Sequence, residues 1–199
     1  DSLRVRATRA GRVLDTDFAL LPQPACQPRI TVDGATATIT NGRITAVLRA
    51  RAGLNEPLAY HTVGCSIEFR DRDGRLLLRE LEPGGSLHLK ARGFRPIIGG
   101  DHALSDFFEA DPAEKLVGMG QYQQDILDLK GCTFELAHRN AQASVPFVLS
   151  SAGYGFLWHN PAIGRATFAA NRTEWYAEST RQLDYWITAG DTPAQITAA

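Results

Sequence analysis

Cysteine is scarce in this chain, and its three copies, Cys26, Cys65 and Cys132, are odd in number and far apart. No close pair is available to staple a small secreted scaffold or to hold zinc, and three reduced thiols suit a cytoplasmic protein. An excess of one charge is also lacking. The 21 basic residues face 22 acidic ones, so the chain has none of the surplus with which a dedicated nucleic-acid binder neutralises phosphates. Arginine outnumbers lysine, but the arginines are scattered among acids and read as a solvated, mixed surface. The start, Asp1-Ser2-Leu3-Arg4-Val5-Arg6, has no apolar stretch of the signal-peptide kind. Uninterrupted hydrophobic runs are missing too. Residues 140–164 contain no Asp, Glu, Lys or Arg, yet Pro146, Pro161, paired serines and repeated glycines break them up. That pattern excludes a membrane-spanning helix and leaves two buried strands.

Several catalytic signatures are absent as well. No Gly-x-Ser-x-Gly elbow occurs, and Ser150-Ser151 falls in a turn between strands, which argues against a serine nucleophile. Gly118-Met119-Gly120 and Gly153-Tyr154-Gly155 each lack the third glycine of a dinucleotide fingerprint and the strand-to-helix setting it needs. They read as tight turns or close strand approaches. His61, His88, His102, His138 and His159 are dispersed, so neither a metal nor a cofactor is expected.

What is present is alternation with period two, from end to end. Leu3, Val5 and Ala7 alternate with arginines. Ile30 to Val32, Ala35 to Thr40 and Arg43 to Arg49 form a three-strand meander whose turns, Asp33-Gly34 and Asn41-Gly42, supply the positive backbone angles of two-residue hairpins. A second hairpin joins Ser66 to Arg70 and Leu76 to Glu80 through Asp73-Gly74. Further strands are expected at 85–90, 103–109 and 116–120, with a short helical turn at Asp111 to Glu114. Val145 to Leu149 and Tyr154 to Trp158 make another hairpin, apolar enough to be covered on both faces. Residues 165–169, 173–177 and 182–188 complete the series. The sum is an all-β chain, a large antiparallel sandwich with few short helical turns. Near the end, Asp191 or Thr192 can cap a helix that Pro193 opens. Only six residues follow, too few for a helix stable by itself, so its apolar face is expected to have nowhere to go.

Candidate functional groups are of three kinds. Glu174 and Glu178 share a strand face but lie roughly 13 Å apart along it, too far for a glycosidase pair. Tyr154, Trp158, Trp175, Tyr185 and Trp186 could stack on sugar rings, although aromatics in a sandwich more often form its core. Arg139, Asn140 and Gln142 form a polar cluster in a loop between apolar strands, where function tends to reside.

The order of motifs from Gly118 onward resembles the amino-terminal β-sandwich of glycoside hydrolase family 31, the α-glucosidases and α-xylosidases. The residues that carry the resemblance are Gly118 to Gln121, Arg139-Asn140, Pro146-Phe147, Gly153 to Pro161, Leu183 to Trp186 and Gly190 to Pro193. They cover about the last 80 residues. The resemblance implies a galactose-mutarotase-like sandwich, a single domain over 1–199. Its closing helix would be the crossover to a (β/α)₈ barrel that this chain does not contain. It also implies a parent enzyme that cleaves α-linked sugars with retention, using an Asp nucleophile and an Asp acid/base on that barrel. Neither catalytic motif occurs here, so no catalytic residue is expected in the chain.

The partners so implied are the chain's own barrel and an α-linked oligosaccharide; the full protein could also be a homo-oligomer. The family's Arg-Asp pair, which touches sugar on the leaving-group side, corresponds to Arg139 and Asn140. The position after Gly-x-Gly is Gln121, as in some α-xylosidase-like members. The substrate-binding candidates are therefore Arg139, Asn140, Gln121 and Gln142. Asparagine in place of aspartate keeps an acceptor, adds an amide donor and removes a charge. Two rival readings stand beside this one. The first is a free-standing carbohydrate-binding module that would rely on Trp158 and Trp175. The second is a mutarotase or epimerase that would rely on His138, His159 and Glu174 as acid and base.

Overall fold

The computed structural model describes residues 1–51, 64–81 and 90–199. Their strands fall into three sheets of five. The first runs in the order β1 (Ser2–Thr8), β15 (Gln182–Ala189), β12 (Tyr154–Trp158), β11 (Ala143–Ser150) and β9 (Leu116–Gln121). The second is β10 (Thr133–Leu136), β13 (Gly164–Phe168), β14 (Arg172–Thr180), β8 (His102–Glu109) and β7 (Arg92–Pro96). The third is β2 (Arg29–Asp33), β3 (Thr36–Asn41), β4 (Ile44–Arg51), β5 (Gly64–Asp71) and β6 (Leu76–Arg79). Every pairing is antiparallel. The all-β sandwich read from the alternation is therefore observed, and the third sheet closes one side of it.

The first two sheets pack face to face through aromatic rings. Phe156 stacks on Trp175 and on Tyr185, both with centroids 4.9 Å apart, and Phe108 meets Phe156 and Tyr185 edge-on. Such offset and edge-to-face arrangements are those that ring quadrupoles favour. Phe69 of β5 reaches Tyr185 at 6.2 Å, and an isolated bridge joins Glu80 to Phe108. The third sheet thus shares one continuous core with the other two.

All three Asx-Gly turn signals hold, with Gly34, Gly42 and Gly74 at φ 55°, 61° and 82°. At Asp111 the side chain accepts from the amide of Ala113, 2.8 Å away, which makes the tight turn before β9. Two short strands, β7 and β10, were not expected from the sequence. Both are sheet edges, and each offers at most two turns of alternation against polar or glycine neighbours. The strand expected at 85–90 lies largely outside the described residues. Strand β11 differs from expectation: its first half opens to solvent, with Val145 50% exposed, while β12 is covered as expected.

The closing helix α1 (Pro193–Ala198) is capped by Thr192, whose hydroxyl accepts from the amide of Gln195. Its apolar residue does find a seat, contrary to the expectation. Ile196 is buried over Gly155 and Gly190, where an added Cβ would come within 2.6 and 2.8 Å of its methyl and methylene carbons. Among the described residues no helix is long and apolar enough to cross a membrane.

Candidate functional site

The polar loop 137–142 leaves β10 and returns into β11, and the backbone of β9 sets its position. Gly118, Met119 and Gly120 all have positive φ, at 128°, 69° and 90°. The pairing of β9 with β11 shifts between Ser144 and Val148. A Cβ on Gly118 would lie 2.5 Å from the carbonyl oxygen of Phe147, and one on Gly120 would lie 2.3 Å from that of Ala143. Glycine is required at both positions, for its backbone angle and for the close approach. The Gly-x-Gly motif is thus the footing on which the loop stands, and Met119 between them is fully buried.

From this footing Gln121 pairs with Ala143 at the loop's return. Across the loop, the amide of Gln142 donates to the carbonyl of Arg139 at 3.1 Å and closes a tight turn. Ala141 occupies the left-handed region of that turn at φ 58°, a conformation that costs an alanine about 1–2 kcal/mol. Backbone strain of this kind is held in place by its surroundings. Gln142 also donates through its side chain to the carbonyl of Ala137. Arg139, Asn140 and Gln121 are exposed and Gln142 is half-buried. The structure therefore brings all four sequence candidates to one edge of the sandwich.

Two residues that the sequence reading missed hold the loop in shape. The hydroxyl of Tyr122 lies 2.8 Å from both the Glu135 carbonyl oxygen and Ser144 Oγ, bridging β10 to β11 at the base of the loop. Its ring meets Phe134 edge-on at 4.8 Å, and burial pushes its phenol above the ordinary range. Glu135 takes the Arg139 guanidinium through both carboxylate oxygens. Each ion stabilises the other's charge: the Arg139 hydrogen bonds pull the Glu135 carboxyl down, and those of Glu135 raise Arg139. The signal for this pair was the four-residue separation, which the curl of the loop turns into contact.

Chemically the site can donate and accept hydrogen bonds. The N–H groups of Arg139 not taken by Glu135 and the Asn140 amide suit the hydroxyls of a polar ligand. It offers no acid paired with a base. Glu174 is bound to Arg165 at 2.9 Å, and Glu178 is exposed beyond a bulge in β14. The deeply buried acids Glu80 and Asp106 lie in the interior.

The other sequence candidates do not join the loop. His138 is exposed and accepts from the Ser144 amide, whereas His159 is buried and accepts from the amide of Phe18. Burial lowers the His159 imidazole below its usual range. His159 lines a pocket of about 220 Å³ whose lining includes neither His138 nor Glu174. Of the five aromatics, Tyr154, Trp158, Trp175 and Tyr185 are core residues, and only Trp186 reaches the surface. Stacking on sugar through Trp158 or Trp175 is thereby excluded by packing.

No family model matches the chain. An uncharacterized family 31 glucosidase (ORF2) of Pseudescherichia vulneris is 45% identical over 99% of the chain, which spans 38% of that protein. A crystal structure of a GH31 α-xylosidase from a soil metagenome, complexed with xylose, superposes with a TM-score of 0.87 at 45% identity. The match takes in 98% of this chain and 29% of that one. The chain belongs to glycoside hydrolase family 31. α-Xylosidase A of Aspergillus niger is 33% identical over 60% of the chain and 16% of its own length. The sandwich of this family 31 chain thus matches a minor part of longer glycosidases, and the motifs from Gly118 to Pro193 identified it correctly.

Proposed function

We propose that the chain is the non-catalytic, amino-terminal β-sandwich of a retaining α-glycosidase of the α-xylosidase or α-glucosidase type. It forms a single domain over 1–199 and acts beside a (β/α)₈ catalytic domain supplied by the longer protein. The observation that carries this reading is a match over nearly the whole chain to 38% of a family 31 glucosidase. An exposed polar loop that presents hydrogen-bond donors and acceptors agrees with it. In this role Arg139 and Asn140, with Gln121 and Gln142 beside them, present donors and acceptors to the leaving-group side of an α-linked oligosaccharide.

The catalytic domain docks on the outer face of the first sheet. That face carries an apolar groove of about 330 Å³ lined by Leu20, Val145, Phe147, Leu157, Trp186 and Ile196. Burying such surface stabilises an interface by about 25 cal/mol per Å². The indole nitrogen of Trp186 is itself buried and has no hydrogen-bond partner. We place the protein in the cytoplasm, in keeping with three free thiols at Cys26, Cys65 and Cys132.

The test is turnover by the purified chain on p-nitrophenyl α-xyloside and α-glucoside. No release of nitrophenol above the buffer rate is expected. Hydrolysis that survives purification to homogeneity would overturn the non-catalytic assignment.

A further inference from the structure

Strand β2 forms the outer edge of the third sheet, and all five of its residues, Arg29-Ile30-Thr31-Val32-Asp33, are exposed. Its pairing with β3 runs from Arg29 opposite Thr40 to Asp33 opposite Thr36, closed by the two-residue turn at Gly34-Ala35. In such a hairpin the closing pair exchanges both backbone hydrogen bonds, and the bonded pairs then recur at every second residue. Asp33, Thr31 and Arg29 therefore direct their amides and carbonyls at β3. Ile30 and Val32 direct theirs at the open edge. An edge that offers free backbone groups beside apolar side chains is a template for another strand, and Ile30 and Val32 are 61% and 71% exposed.

The five-residue sequence is complementary to itself. We infer that β2 pairs antiparallel with β2 of a second copy of this chain, about a two-fold axis through Thr31. In that register Ile30 and Val32 exchange both backbone bonds with Val32 and Ile30 of the second copy, four bonds in all. Arg29 stands opposite Asp33 of the second copy and Asp33 opposite its Arg29, on the face away from the apolar strip. Shifting the register by one or two residues brings neither charge opposite its complement.

The apolar strip continues inward from Ile30 through Ile39 and Ala46 to Phe69, so the pairing extends an existing core face. Pro28 lies next on the open-edge phase and has no amide proton to offer. It limits the pairing to this short segment. A two-fold contact closes on itself, so the product is a dimer and not a fibre. An interface this small makes it a reversible, concentration-dependent one.

Sedimentation velocity of the chain over a concentration series up to millimolar tests this. A monomer–dimer equilibrium is expected. Asp33→Arg, which sets like charges opposite each other twice, should weaken the dimer about tenfold or more. The double reversal Arg29→Asp/Asp33→Arg should restore it to within about threefold. Ile30→Pro costs no bond to β3 and should leave a monomer with unchanged circular dichroism. A chain that stays monomeric at every concentration overturns the inference. So does a dimer indifferent to the single reversal, to Ile30→Pro, or not regained in the double variant.

Discussion

Arg92→Met is expected to destabilise the chain by about 3–5 kcal/mol at neutral pH, the range for breaking a buried ion pair from one side. Arg92 donates to both carboxylate oxygens of Glu80, at 2.9 and 2.8 Å, and to the carbonyl of Cys65. Glu80 and its neighbour Asp106 are fully buried. Burial raises the Glu80 carboxyl, and Arg92 reverses only part of that effect. Burial, then the nearby Glu80, pushes the Asp106 carboxyl well above its ordinary range, and neither of its oxygens has a hydrogen-bond partner. On Arg92 itself burial works against the charge, yet the adjacent Glu80 outweighs it and the guanidinium is raised.

The sign with pH follows from those directions. Both acids hold a proton more tightly folded than unfolded. Their contribution to stability is fully present below the unfolded values, near 3.8 for Asp and 4.5 for Glu, and is lost as pH rises through the folded ones. Removing Arg92 raises Glu80 further, so the penalty is largest at neutral pH and shrinks towards pH ~4, where the unfolded chain is protonated as well. Urea unfolding at the two pH values measures it. A loss below ~1 kcal/mol at neutral pH, or an equal loss at both, would contradict the role given to this pair.

Trp175→Ala is expected to cost a similar amount, about 3–5 kcal/mol, the range for emptying a buried aromatic site. Trp175 is 1% exposed, stacks on Phe156 at 4.9 Å and on Trp158 at 5.9 Å, and meets Phe168 edge-on. It sits on β14 where the second sheet faces the first, so the cavity would open in the middle of the sandwich. Thermal and urea unfolding should agree on the loss. A stable variant that instead lost affinity for xylose or glucose would return Trp175 to the role of a sugar platform and weaken the case against a binding module.

Much of the fold was legible because β structure repeats every two residues and its turns carry glycine. Strand β14 shows this well: Thr173, Trp175 and Ala177 are buried between half-exposed Glu174 and Tyr176. The helix cap at Thr192 was legible for the same local reason. The buried acid was written there too. In β8, Asp106 shares the face of Leu104 and Phe108, and period two places it inside. What period two does not show is the pair of charges beside it, since Glu80 and Arg92 come from elsewhere in the chain.

The candidate site was legible as a set of residues, but its geometry was not. Nothing in the order Ala-Gln after Arg139-Asn140 signals that Ala141 turns left-handed. That angle is imposed by the bond from Gln142 back to Arg139 and by the footing at Gly118 and Gly120. Tyr122 escaped notice because its two partners, at Glu135 and Ser144, are distant in sequence.

Steady-state kinetics of the complete enzyme test most directly the proposal that loop 137–142 belongs to the sugar-binding edge of a larger glycosidase. With Arg139→Ala, KM for an α-linked disaccharide should rise about tenfold or more while kcat changes little, the signature of lost binding on the leaving-group side. The glycosyl fluoride of the same sugar, which carries no leaving-group sugar, should be hydrolysed with unchanged constants. An unchanged KM for the disaccharide, or an equal rise for both substrates, would contradict the account.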